Sequence, residues 1–307
     1  MGAQLREARR RIKSVQSTKK ITRAMELIAA SRIVKAQQRI AASRPYADAI
    51  TDVVRTVTAP GVVSEDHPLT TPRETVGASA LLLITSDRGL AGGYSANVLR
   101  AGEQTTAKLR EQGSSTVMPF LVGRKAVGYY RFRGRDVSHS WSGFSEQPSY
   151  DDAKAVADDL LENFVKGSSD GGVDEIHLVF TKFESMATQR VTVSRLLPLD
   201  PADVPEGEAE EPAGQSALME FEPEGAGVLD ALLPRYLTAR IYAAMLDAAA
   251  SEQAARRRAM KSATDNADEL IKKLTRDANA ARQAEITQEI MEIVGGAEAL
   301  AGAGRDQ

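Results

Sequence analysis

The chain has 307 residues, 39 Lys+Arg against 42 Asp+Glu, a formal net charge of −3 and a 42% hydrophobic fraction, enough for a core although much of it is alanine. The absence of cysteine excludes a disulfide scaffold, a thiolate metal site and a Cys nucleophile, and His67, His139 and His177 are spaced too widely to promise a histidine metal cluster. Aromatic residues, at 5%, are scarce for a nucleic-acid stacking platform; no apolar run of about 18 residues is long enough to span a membrane, and the polar, basic start is not a secretory signal.

Charge is segregated along the chain. Residues 1–57 hold 13 Lys/Arg and 4 Asp/Glu, whereas residues 200–224 hold nine acidic side chains and no basic one. Such a division implies that the ends and the middle meet different partners.

The first predicted element is a long helix over residues 3–57. Its apolar positions (Leu5, Ala8, Ile12, Val15, then Ile33, Ala36, Ile40, Ala47, Ile50, Val54, Val57) recur at three-four spacing. Between them the stripe drifts to Ile21, Met25 and Ile28, leaving Lys19 and Glu26 off the seam and implying an irregular supercoil. Arg44-Pro45 is a place for a kink or an end, and Pro60-Gly61 is a firmer stop.

The middle, about residues 77–199, has a different pattern. Residues 80–85 (ALLLIT) read as a strand buried on both faces. A turn over 86–93, a helix over 97–112, a strand over Thr116–Val122 and a helix over 150–165 follow. Two more strands are predicted at 175–181 and 190–197. Strands alternating with helices predict an α/β layer around an at least partly parallel sheet. Residues 200–216 read as an acidic loop, and 217–221 as a possible sheet-edge strand. A second long helix runs from near Val228 to Val294, with Pro234 near its start and a stop at Gly295-Gly296. A helix of this length needs a partner, and the N-terminal helix is the natural one. The expected organisation is therefore an antiparallel coiled coil from 1–60 and 226–307, an α/β domain at 76–200 inserted between its helices, and an acidic loop with edge strand at 201–225.

Few residues suggest chemistry. The turn Ser86-Asp87-Arg88-Gly89-Leu90-Ala91-Gly92-Gly93 lies between strand and helix, where backbone N–H groups can cradle a phosphate. It lacks both the Lys-Ser/Thr of a P-loop and dinucleotide-fingerprint spacing, so tight-turn glycines with Asp87 and Arg88 paired or capping are the plainer reading. Asp151-Asp152 and Asp158-Asp159 resemble acid/base pairs but suit a solvated helix face. The basic N-terminal helix raises nucleic acid, but it lacks interleaved aromatics and its apolar stripe asks for a protein.

The terminal segments carry a family resemblance. IKSVQSTKKITRAMELIAASR at 12–32, continued by AASRPY at 41–46, resembles the N-terminal helix of the rotary ATP synthase gamma subunit family. SDRGLAGGY at 86–94 resembles that family's central turn, with Ala91 where many members carry cysteine. ARQAEITQEIMEIVGGA at 281–297 resembles its C-terminal signature. The resemblance thus covers essentially the whole chain. It implies a coiled-coil shaft with an inserted, Rossmann-like α/β domain, present once per complex. The shaft would turn inside a ring of alpha and beta subunits and sit with epsilon on the membrane c-ring, at the cytoplasmic face of the cell membrane. It would couple proton flow to ATP synthesis, or the reverse hydrolysis, and regulate ATPase activity and proton flow. The family implies no catalysis, metal or cofactor in this chain, Mg-ATP and ADP being held by alpha and beta, and no nucleic acid. It places Arg282, Gln283 and Thr287 in a catch facing beta, with Met25 on the facing N-terminal helix. Lys166, Gly167, Ser168, Ser169, Asp170, Gly171 and Gly172 form a connection longer than usual, read as a flexible regulatory loop. Two other readings stay open on the residues alone. One is a phosphate-using enzyme built on the α/β middle. The other is a coiled-coil scaffold for an acidic partner or nucleic acid.

Overall fold

The computed structural model describes residues 2–57, 69–71, 73, 75–135, 137, 139–199 and 225–303. In chain order these form α1 (Gly2–Val57), β1 (Ala78–Ile84), α2 (Tyr94–Glu111), β2 (Thr116–Val122), α3 (Arg124–Phe132), β3 (His139–Trp141), α4 (Tyr150–Lys166), a 3-10 turn (Ser168–Asp170), β4 (Glu175–Phe183), β5 (Gln189–Leu197) and α5 (Gly225–Ala303). Two compact units result: Met1–Ile28 with Arg257–Gln307, and Ala29–Arg256. The acidic loop, the possible strand at 217–221 and the Pro60-Gly61 stop lie outside the described residues.

The larger unit is built on a five-stranded sheet ordered β3-β2-β1-β4-β5, parallel except for β5, which pairs antiparallel to β4. β1 lies at the centre, and Leu81, Leu82, Leu83 and Ile84 are buried on both faces. Each such aliphatic side chain contributes about 1.5–3 kcal/mol on burial. On one face Ala80, Leu82 and Ile84 join Phe120, Ile176 and Leu178 in a core with Val156, Leu160 and Phe164 of α4, Ile50 and Val54 of α1, and Leu237 and Ile241 of α5. On the other face Leu81 and Leu83 pack with Val98 of α2 and with Ala126 and Tyr130 of α3. The alternation of side chains along one strand thus serves two helical layers. Ser149 caps α4 and exchanges hydrogen bonds with Asp152 in a capping box, so this carboxylate of the Asp151-Asp152 pair is a helix start.

In the smaller unit α1 and α5 run antiparallel. Thr22 Oγ1 meets Thr264 Oγ1 at 2.7 Å, and Lys19 pairs with Asp268. The expected seam needs correction here. Ile21 and Ile28 are exposed, whereas Thr22 and Glu26 are buried; farther along α1, in the larger unit, the expected Ile33, Ala36, Ile50 and Val54 are buried, together with Ala29 and Thr51. Thr22 and Glu26, four apart, share one face of the helix, and both are polar. Lys19 and Glu26 therefore belong to the paired face, Glu26 receiving Arg23 at 2.8 Å.

Other expectations change for local reasons. α1 passes through Pro45, and α5 starts early enough that Pro234 is interior. The carbonyl that Pro45 deprives of its helical donor belongs to Ala41, an exposed residue that water reaches. α5 also runs through Gly295-Gly296 to Ala303. Each glycine costs about 1 kcal/mol relative to alanine, but Ala297, Ala299, Leu300 and Ala301 are strong helix formers. α3 and β3 were not expected: α3 carries Gly128 in mid-helix, and β3 is three residues long. Among the described residues no helix is long and apolar enough to cross a membrane.

Candidate functional site

The central turn carries β1 into α2. Asp87 is nearly buried, and its carboxylate accepts the N–H groups of Arg124 (3.1 Å), Gly143 (2.8 Å) and Ser145 (3.0 Å). It therefore fastens the start of α3 and the loop after β3. Arg88 does not pair with Asp87; its guanidinium lies 3.7 Å from Glu146. Of the turn's glycines only Gly92 needs a positive φ (57°), and Leu90 adopts φ 63° as well. With Asp87 directed into the fold and Gly93 accepting the N–H of Asn97, the turn acts as a structural clasp.

The clasp leads to a buried charge network. Glu146, in the loop between β3 and α4, gathers Arg32 of α1, Arg88 of the turn and Arg256 of α5, the last at 3.3 Å. Arg256, 5% exposed, also donates to Glu252 at 2.7 Å and to the carbonyls of Arg88 (3.5 Å) and Gly89 (3.3 Å). Burial pushes the Glu252 carboxyl up to about 7; Arg256 opposes this and Glu146 reinforces it. The same surroundings hold the buried Tyr94 hydroxyl well above its ordinary pKa, burial first and Glu252 second. One network thereby joins α1, the turn, the β3–α4 loop and α5.

The other candidates are placed as follows. Arg282, Gln283 and Thr287 are exposed on α5, and Met25 is half-buried on α1. The register set by Thr22–Thr264 puts Met25 opposite residues near 261, about 30 Å along the pair from Arg282, so the fold does not bring the four together. Residues 166–172, expected as a flexible loop, instead form a hydrogen-bonded turn. Gly172 donates to the Gly167 carbonyl at 2.7 Å, and Ser168 donates to Asp174 at 3.1 Å. Gly167 has φ 71°, and a Cβ there would fall 2.1 Å from Arg73 Nη1. Asp174 is tied to Arg73 and to the N–H groups of Gly77 and Ala78. Burial would raise its pKa, but the hydrogen bonds from Ser168, Ala78 and Gly77 outweigh burial and hold it at about 2. Asp158 pairs with Lys154, and Asp159 lies 2.9 Å from His139 Nδ1, so neither forms an acid/base couple with the other.

Residues 4–300 match the family model described as ATP synthase. The chain is 62% identical to the ATP synthase gamma chain of Acidothermus cellulolyticus over 306 residues, covering 100% of both chains. The chain belongs to the ATP synthase gamma chain family. Its fold is shared with chains of the Euglena gracilis mitochondrial ATP synthase. The chain in the rotor in rotational state 1 has a TM-score of 0.62 at 16% identity, covering 93% of this chain and 100% of that one. The chain in the OSCP/F1/c-ring structure in rotational state 3 has a TM-score of 0.65 at 17% identity, covering 98% and 95%.

In this gamma chain family member the network residues Arg32, Glu146, Glu252 and Arg256 escaped sequence reasoning. A weak signal existed: Glu252 and Arg256 stand four apart in a stretch of α5 otherwise rich in alanine, where nearly every residue is buried. The network carries a pH signature. Unfolded, Glu252 titrates near 4.5, and folded, near 7. Below 4.5 it is protonated in both states. As pH rises to about 7 the unfolded chain releases its proton first, so stability falls, by at most about 1.4 kcal/mol per pH unit. Asp247, raised from 3.8 to about 6 by burial, acts in the same sense at lower pH. Asp174 acts oppositely, its contribution being present above 3.8 and lost as pH falls through about 2. Glu252→Gln is therefore expected to flatten the decline between pH 6 and 7 in denaturant titrations. An unchanged slope would show that Glu252 is not the group titrating.

Proposed function

We infer that this chain is the central-stalk rotor subunit of a proton-translocating ATP synthase, one copy per complex, and that it carries no catalytic group itself. The observation that carries the reading is the far end of α5. Along that stretch Ile286, Ile290, Met291, Ile293 and Val294 are exposed. A helix end with this many uncovered aliphatic side chains fits an enclosing apolar sleeve supplied by other subunits.

In this reading alpha and beta subunits form the sleeve and hold Mg-ATP and ADP. Epsilon and the membrane c-ring hold the foot, at the cytoplasmic face of the cell membrane. A single asymmetric shaft cannot touch three equivalent sites alike. Its angle therefore biases their free energies through differential contact, which is the requirement for coupling. Exposed polar contacts at Arg282, Gln283 and Thr287, each about 0–1 kcal/mol, are weak enough to break at every step. A tagged chain purified from membranes is expected to bring alpha, beta, epsilon and c subunits with it. Recovery of the chain without them would overturn the reading.

Two further expectations follow from it. Met25→Lys adds an ammonium where a half-buried thioether faces the sleeve, and favours one shaft angle over others. That substitution, or Arg282→Ala with Gln283→Ala, is expected to lower protons pumped per ATP hydrolysed in membrane vesicles at unchanged subunit content. An unchanged ratio rejects the catch role. The 166–172 turn, held in one shape by its hydrogen bonds, serves as a brake on rotation through a neighbouring subunit. Deleting residues 168–171 is then expected to raise ATP hydrolysis, and identical hydrolysis and pumping would remove the turn from regulation.

A further inference from the structure

One surface of the α/β unit is not used by the stalk reading. α3 presents Arg124, Lys125, Gly128, Arg131 and Phe132 to solvent on its outer side, while Ala126 and Tyr130 face the core. Phe132 is 89% exposed, the most uncovered large apolar side chain among the described residues. Arg131 and Arg133 flank it and Arg135 follows; residues 124–135 contain five basic side chains and no acidic one. The platform is rigid. Gly123 enters α3 with φ 96° where a Cβ would meet the Thr85 carbonyl oxygen at 2.3 Å, and Asp87 accepts the N–H of Arg124. The Arg133 guanidinium lies 5.2 Å from the centre of the Tyr129 ring, and Arg135 is held by a two-pronged pair with Glu103 at 2.7 and 2.9 Å. Arg131 has no ion pair among the described residues, and the cations at this end complement the negative pole of the helix.

We propose that the end of α3, with Phe132 as its apolar tip and Arg131 and Arg133 on either side of it, is a contact site for anionic lipid headgroups at the membrane surface. The proposal rests on the central-stalk reading, which puts the chain beside a membrane. The charge of this surface, five basic side chains and no acidic one over residues 124–135, favours an anionic headgroup layer. An aromatic ring among guanidinium groups matches the headgroup layer, which accepts the ring at its apolar edge and offers phosphates to the cations. Each basic residue near an anionic surface strengthens attachment about fivefold, and salt weakens it. Attachment of this strength is reversible, and a fluid surface lets the contact slide as the subunit turns.

The chain has one tryptophan, Trp141, so full-length protein carrying Trp141→Phe and Phe132→Trp reports on the tip alone. Its emission is expected to shift to the blue with vesicles of mixed phosphatidylglycerol and phosphatidylcholine, and to return at raised salt. No shift is expected with phosphatidylcholine alone. Arg131→Gln with Arg133→Gln is expected to weaken sedimentation with the anionic vesicles about twentyfold. Equal shifts on both vesicles, no shift on either, or sedimentation unaffected by the arginine substitutions would overturn the proposal; in the last case the basic start of α1 holds the vesicle. A shift that needs the other synthase subunits and no lipid would assign the tip to a protein contact and equally overturn it. Assembly of the same variants with alpha and beta subunits is scored separately, so failure of the stalk reading shows as lost assembly and failure of the lipid site does not.

Discussion

Arg256→Ala is expected to destabilise the chain by about 3–5 kcal/mol, because it removes the cation from a buried pair and leaves the anions behind. Arg256 is 5% exposed and Glu252 1%. The substitution strands Glu252, takes one of three guanidinium groups from Glu146 and frees the carbonyls of Arg88 and Gly89. Glu252 recovers part of the loss by taking up a proton, which its raised pKa already favours near neutral pH. Arg256→Lys should restore only part of the stability, since a single ammonium cannot reach all these acceptors at once. Equilibrium unfolding in denaturant measures both variants. A loss below about 1 kcal/mol, the size of an ordinary surface effect, would mean that the network does not join these elements.

Ile286→Asp with Ile290→Asp is expected to do the reverse, leaving the isolated chain intact and disabling the complex. Both side chains are about half exposed in the chain itself, at 45% and 55%. Their replacement should therefore change its stability by no more than about 0.5 kcal/mol. If an apolar sleeve closes over them, two carboxylates must be desolvated there, which costs several kcal/mol and suppresses assembly or coupled synthesis by more than about tenfold. Matched unfolding curves and synthesis rates in reconstituted membranes separate the two effects. Normal synthesis in the double variant would leave the end of α5 without an enclosing partner.

Much of the fold was legible because local pattern and burial agree. The run from Leu81 to Ile84 reads as a doubly buried strand and is one, and Thr116–Val122 keeps its expected bounds. The stripe of α1 was legible from Ile33 onward, where Ile33, Ala36, Ile50 and Val54 are buried as expected, and was not legible around Thr22 and Glu26. Thr22 and Glu26 are buried there, while Ile21, Leu27 and Ile28 are exposed. Over that stretch a reading that follows apolar side chains picks the wrong face. The charge network was hidden for another reason. Arg32, Glu146 and Arg256 are distant in sequence, and only the approach of α1, the turn and α5 gives them a common purpose. Asp87 and Gly167 show the intermediate case: their motifs were visible, but which backbone groups and side chains they meet depends on tertiary contacts.

The central claim is that this chain turns. Because it has no cysteine, Gln104→Cys on the exposed side of α2 offers a single attachment point for a bead. With the chain assembled into surface-held alpha and beta subunits, addition of ATP should drive the bead in one direction with three dwell positions per turn. Sustained ATP hydrolysis by the assembled complex with the bead stationary, or moving only by undirected diffusion, would contradict the account.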